Sequence, residues 1–110
     1  MPELVNEIKY QLGRLESLYE SYREYKYKSK NDRLKKDRER ATNSMFNYAD
    51  MIERTLVNTP IAEIIIDGGQ YQFEDFWKYV DSDMPDYLEK IRQRIIELEN
   101  PVGEEDNSPK

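Results

Sequence analysis

The 110-residue chain contains no cysteine and no histidine. Without thiols, disulfides, thiolate zinc sites and cysteine nucleophiles are excluded. Without imidazole, the commonest general base and the commonest transition-metal ligand are missing. Long apolar runs are also absent: none approaches the ~20 residues that cross a bilayer. The opening Met1-Pro2-Glu3-Leu4 has neither the basic nor the apolar region of a secretory signal. Together these absences predict a cytoplasmic protein with no membrane partner.

Glycine is scarce, with four residues, and none supports a phosphate-binding loop. Asp67-Gly68-Gly69 has no lysine after it and no Gly-x-Gly-x-x-Gly pattern, so it reads as a turn. Acidic residues are plentiful in the second half, where Glu63, Asp67, Glu74, Asp75, Asp81, Asp83 and Asp86 are candidates for metal or paired-carboxylate chemistry. Asp81-Ser82-Asp83 resembles the start of a calcium loop. That loop needs glycine at its sixth position and glutamate at its twelfth, and this chain has Asp86 and Arg92 there. Acidic residues also favour helix N-termini, which accounts for Glu74, Asp75, Asp83 and Asp86 without chemistry. The reading is a non-enzyme with no metal and no cofactor.

What is present is charge, and it is unevenly placed. The apolar fraction is 37% and the charged fraction 36%, a balance that favours elongated helices with wide solvated faces over a dense globule. Net charge is −6. Residues 26 to 40 hold eight basic and three acidic side chains, whereas residues 60 to 110 hold five basic and thirteen acidic.

The first 25 residues carry the clearest periodicity. Val5, Ile8, Leu12, Leu15, Tyr19 and Tyr22 follow 3-4 spacing and line one helix face, widened by Leu4, Leu18 and Tyr25. Gly13 either weakens this helix or permits a close backbone approach. A second stripe runs through Ala41, Met45, Tyr48, Ile52 and Leu56 and stops before Pro60. The two stripes do not share one heptad frame, since the phase slips by one residue near 30–34. A turn at Ser29 to Asp32, with Asn31 or Asp32 capping the second helix, explains the slip and sets Ile8 opposite Ile52 and Leu15 opposite Met45. The rival is a single helix of ~56 residues with a local skip.

Beyond Pro60, Ile61, Ile64, Ile65 and Ile66 followed by Asp67-Gly68-Gly69, Tyr71 and Phe73 read as a small β-hairpin. The alternative is a short helix capped by Thr59 and opened by Pro60. Phe73, Phe76, Trp77 and Val80 predict a short helix. Asp83 is expected to cap a last one, with Met84 and Pro85 in its first turn and a stripe of Met84, Leu88, Ile91, Ile95 and Leu98. The expected fold is mainly α: an N-terminal antiparallel helical hairpin, a small β-hairpin and two C-terminal helices, with Trp77 and Ile91 packed on the hairpin base. Residues 1–100 form one domain, and 101–110 form an acidic disordered tail.

Two groups are functional candidates. Tyr19, Tyr22, Tyr25 and Tyr27 exceed what one two-helix seam can cover, which predicts a protein partner and self-association as a homo-oligomer. Lys26, Lys28, Lys30, Arg33, Lys35, Lys36, Arg38 and Arg40 are candidates for an acidic partner or for nucleic acid. The pairs Glu24–Lys28, Asp32–Lys36, Arg33–Asp37 and Lys35–Glu39 all stand four apart, so the same segment also reads as a salt-bridged, solvated helical tip. The functional expectation is an interaction module, such as an adaptor, a small assembly subunit or an inhibitor. RNA or DNA binding through 26–40 is the alternative.

Overall fold

The computed structural model describes residues 2–58, 60–65 and 78–100. Four helices occupy them: α1 (Pro2–Asn31), α2 (Lys35–Leu56), α3 (Ile61–Ile65) and α4 (Val80–Glu99). No strand occurs among the described residues, and none of these helices is long and apolar enough to cross a membrane.

The two N-terminal stripes form a helical hairpin. The single long helix is excluded by the backbone of Leu34, which is extended at φ −91° and ψ 137° and breaks the chain between α1 and α2. The break falls later than the sequence suggested, because α1 runs on through Asn31. Neither Asn31 nor Asp32 caps α2. Its N-cap position is Leu34, which offers no side-chain hydrogen bond. Asn31 instead donates from Nδ2 back to the Tyr27 carbonyl at 2.8 Å. Arg38 crosses the turn, its Nη1 donating to the carbonyls of Asp32 at 2.7 Å and Arg33 at 3.0 Å. The orphan acceptors after α1 are thus satisfied by a guanidinium from α2.

The later turn shifts the register. Counting outward equally from residue 33 puts Leu15 level with Met51, next to Ile52, and Ile8 level with Asn58. Ile8 reaches past the end of α2 and lines a recess with Pro60 and Ile64. Ile8, Leu15, Ile52 and Ile64 still face one core.

After α2, Asn58 begins the next element, its carbonyl accepting from Ala62 N at 2.9 Å. The expected first strand is instead the short helix α3, with Ile61 and Ile65 both buried. Burial at positions four apart is the helical period, and here it outweighs the β preference of consecutive isoleucines. The rest of the proposed β-hairpin, and Phe73, Phe76 and Trp77, lie outside the described residues, as does the 101–110 tail.

The last helix starts earlier than its expected cap. It begins at Val80, with Asp83 N donating to Tyr79 O at 2.8 Å, so Asp83 lies within the first turn. Ion pairs of Lys9 with Glu99, Glu16 with Arg92 and Lys26 with Asp81 set α4 antiparallel along α1. Val80, Met84, Leu88, Ile91 and Ile95 enter the same core as Ile8, Leu15, Tyr22, Ile52 and Leu56. A Cβ added at Gly13 would meet nothing within 4 Å, so no close approach requires this glycine.

The molecule is elongated, 65 × 26 × 23 Å. Helix α1 is about 45 Å long and α4 about 30 Å at the usual rise. Because α4 begins level with Lys26, the hairpin from Lys28 to Arg40 continues past it. The basic segment of the sequence is therefore the end of the rod.

Candidate interaction site at the hairpin tip

The four candidate tyrosines separate along α1. Tyr22 is 1% exposed and belongs to the core beneath α4, so it offers no surface to a partner. The expected surplus came from counting only the α1–α2 seam, whereas α4 supplies a third wall. Tyr19 is half-buried, stacks on Tyr22 with ring centroids 6.4 Å apart, and donates its hydroxyl to Asp81 Oδ1 at 3.2 Å. Tyr25, also half-buried, stacks on Tyr48 across the hairpin at 5.6 Å. Only Tyr27 stands clear, at 68% exposure.

The eight basic candidates also divide. Lys26 is held by Asp81, Lys28 by Glu24 at 3.2 Å, and Arg40 lies 4.0 Å from Asp37. Arg38 is committed to the turn carbonyls. The side chains of Lys30, Arg33, Lys35 and Lys36 have no ion pair or hydrogen bond among the described residues. Of the four i,i+4 pairs that would make this a salt-bridged tip, only Glu24–Lys28 forms. Asp32–Lys36 and Arg33–Asp37 are lost because the chain is not helical at 32–34, so the four-residue spacing no longer brings them together. Lys35–Glu39 lies within α2, but with the cation N-terminal, the weaker order for such a pair.

Placement adds to this imbalance. Lys28 and Lys30 lie in the last turn of α1, where the helix dipole favours cations. Lys35 and Lys36 open α2, at the positive end of its dipole, with Asp37 as the acidic residue of that turn. Cations there oppose the local field, with no ion pair among the described residues to offset it.

Beside the tip, a recess of about 560 Å³ is lined by Tyr19, Arg23, Lys26, Tyr27, Lys30 and Asn31 of α1, with Asp81 and Pro85 of α4. Sequence reasoning did not single out Arg23, and took Asn31 only as a candidate helix cap. The guanidinium of Arg23 lies over the Tyr19 ring, 5.7 Å from its centroid.

Burial, then the nearby Asp81 carboxylate, pushes the Tyr19 phenol above its ordinary value. Burial does the same for Tyr22, against the opposing pull of Lys26. The hydrogen bond to Asp81 raises the Lys26 ammonium. All three groups hold their protons more tightly folded than unfolded. Stability is therefore fully present below the ordinary values of 10.0 and 10.5 and falls as pH rises through the raised ones. Urea unfolding should show a steady loss above pH 10, reduced in Tyr22→Phe. A flat profile in that range would contradict the Tyr19–Asp81–Lys26 arrangement.

Of the acidic candidates, Asp81 is spent on Lys26 and Tyr19, and Asp86 lies 3.7 Å from Lys90. Among the described residues no group of three or more acidic side chains is placed to hold a metal ion. Glu74 and Asp75 lie outside them. Comparison with protein-family models, with curated proteins and with solved structures finds no match.

Proposed function

We propose that the chain is a non-enzymatic interaction module, an adaptor, small assembly subunit or inhibitor, whose hairpin tip docks on an acidic surface of a partner protein. The observation that carries this reading is the set of four cations, Lys30, Arg33, Lys35 and Lys36, whose side chains have no ion pair among the described residues at the projecting end of the rod. Such a patch accelerates encounter with an acidic partner and fixes its orientation. The expected self-association has weaker support than the tip, because Tyr22 is buried and Tyr19 and Tyr25 are partly covered by this chain itself.

A second reading rests on the same four side chains, which could equally neutralise phosphates of RNA or DNA. The double substitution Lys35→Glu/Lys36→Glu tests both. It should not lower the melting temperature, since both side chains are exposed and acidic residues suit the first turn of α2, and it should release the partner in a pull-down from the native host. If nucleic acid is the ligand, binding of a labelled oligonucleotide will fall steeply with salt and vanish in the same variant. Retention of every partner by the double variant would end both readings.

A further inference from the structure

The contacts between α1 and α4 follow a heptad ladder that stops short. On α1, Lys9, Glu16, Arg23 and Lys30 stand seven residues apart. Lys9 pairs with Glu99, and Glu16 with Arg92 at 2.9 Å. On α4 the same step of seven runs Glu99, Arg92, Pro85. The place opposite Arg23 is thus a proline, and Arg23 and Pro85 line the same groove. Because α4 begins at Val80, none of it lies opposite Lys30. The first two rungs are filled within the chain, and the next two are cations with no acidic partner among the described residues.

The same seam shows how an acidic helix engages this face. Asp81, in the first turn of α4, takes both Lys26 and the Tyr19 hydroxyl. Arg23, Tyr27 and Lys30 run along α1 to either side of Lys26 at 4-3 spacing, the period with which one helix meets another. We infer that a helix from the partner protein, carrying acidic residues at 3-4 spacing, docks against Arg23, Tyr27 and Lys30 in the recess they line beside the first turns of α4, and supplies the carboxylates the ladder lacks. This rests on the reading of the tip as a protein-docking surface and specifies its occupant. Pairing with Arg23 and Lys30 supplies the charge complementarity, and the exposed Tyr27 ring supplies the apolar contact between them. Glu16 and Glu20 line the groove toward the base, where like charge opposes the acidic helix, while Glu24 is paired with Lys28.

The test uses the full chain and a synthetic amphipathic peptide of about three heptads with glutamates at 3-4 spacing. Its control is a scrambled peptide of equal charge that does not form a helix. Fluorescence anisotropy at low salt should show the helical peptide binding and the scrambled one binding at least several-fold more weakly. Arg23→Glu/Lys30→Glu should weaken the helical peptide by about tenfold, which corresponds to about 1.4 kcal/mol. Arg14→Glu, on another face of α1, should leave it unchanged. A peptide with lysines in place of its glutamates should bind the Arg23→Glu/Lys30→Glu protein and not the native one. That exchange cannot arise from misfolding. Equal binding of helical and scrambled peptides, or tighter binding of a single-stranded RNA that is lost in Arg23→Glu/Lys30→Glu, overturns the proposal. Peptide binding lost in Lys35→Glu/Lys36→Glu but kept in Arg23→Glu/Lys30→Glu overturns this groove while leaving the tip reading intact. Failure of both acidic peptides to bind the native chain removes both.

Discussion

Tyr22→Ala should destabilise the protein by about 3–5 kcal/mol, the range for deleting a fully buried large aromatic. The tyrosine is 1% exposed, stacks against Tyr19 and lies beneath α4 in the core shared by all four helices. Its removal takes apolar area from the core and leaves a cavity where α1 and α4 meet. Domains of this size are stable by roughly 5–15 kcal/mol, so the variant should be severely weakened or partly unfolded at room temperature. Tyr27→Ala, five residues along the same helix, removes a ring that is 68% exposed and should change stability by no more than about 0.5 kcal/mol. Urea denaturation of both variants, compared at equal m-value, measures the contrast. Similar midpoints for the two would mean that α4 does not cover α1 as described.

The difference between these tyrosines also shows where sequence reasoning reached its limit. Both stand on α1 near the basic segment, and periodicity places Tyr22 on the inward stripe. Whether that stripe has a second wall depends on α4, some 60 residues downstream. A ledger confined to the α1–α2 seam counts Tyr22 as surplus, while one that includes Val80, Met84 and Leu88 does not. The hairpin was legible as one of two readings, because a one-residue phase slip fits either a turn or a single helix with a local skip, and the extended backbone at Leu34 decides between them. The position of the break was less so. Asn31 and Asp32 are good capping residues by composition, yet the chain turns at Leu34 and satisfies its carbonyls through Arg38, a long-range solution that no local preference encodes.

At α3, local preference pointed the wrong way. Three consecutive isoleucines favour a pleated strand, but Ile61 and Ile65 are buried on one helical face. Tertiary burial of two large side chains outweighs a propensity difference of about 1 kcal/mol or less. The basic tip was visible as a run of charge. Which of its cations are free was not, because that follows from the helix break at 32–34, which separates Asp32 from Lys36 and Arg33 from Asp37. The groove at Arg23 and Lys30 is a further step removed, since it exists only because α4 starts at Val80 and carries Pro85 where a carboxylate would complete the ladder.

Placing a carboxyl at the centre of that helix tests the packing from another direction. Ile91 is 0% exposed and lies midway along α4, within the core shared with α1, α2 and α3. Ile91→Asn and Ile91→Asp remove nearly the same apolar volume and should each cost at least the 2–5 kcal/mol of a large-to-small core substitution. They differ in one respect: the introduced carboxyl can ionise, and an unpaired charge in this setting has no counter-ion. Burial should raise its pKa well above the unfolded value near 3.9. An acid whose folded pKa is raised binds its proton more tightly in the native state. The two variants should therefore match at low pH, where the carboxyl is neutral. Above the unfolded pKa, Ile91→Asp should fall behind Ile91→Asn by up to about 1.4 kcal/mol per pH unit until the folded pKa is passed. Because the asparagine variant carries every other titrating group unchanged, the difference isolates this site from the rest of the acidic chain. Thermal or urea melts of the pair across the acidic range measure it directly. Parallel stability curves would mean that solvent reaches residue 91 and that α4 does not pack on the hairpin.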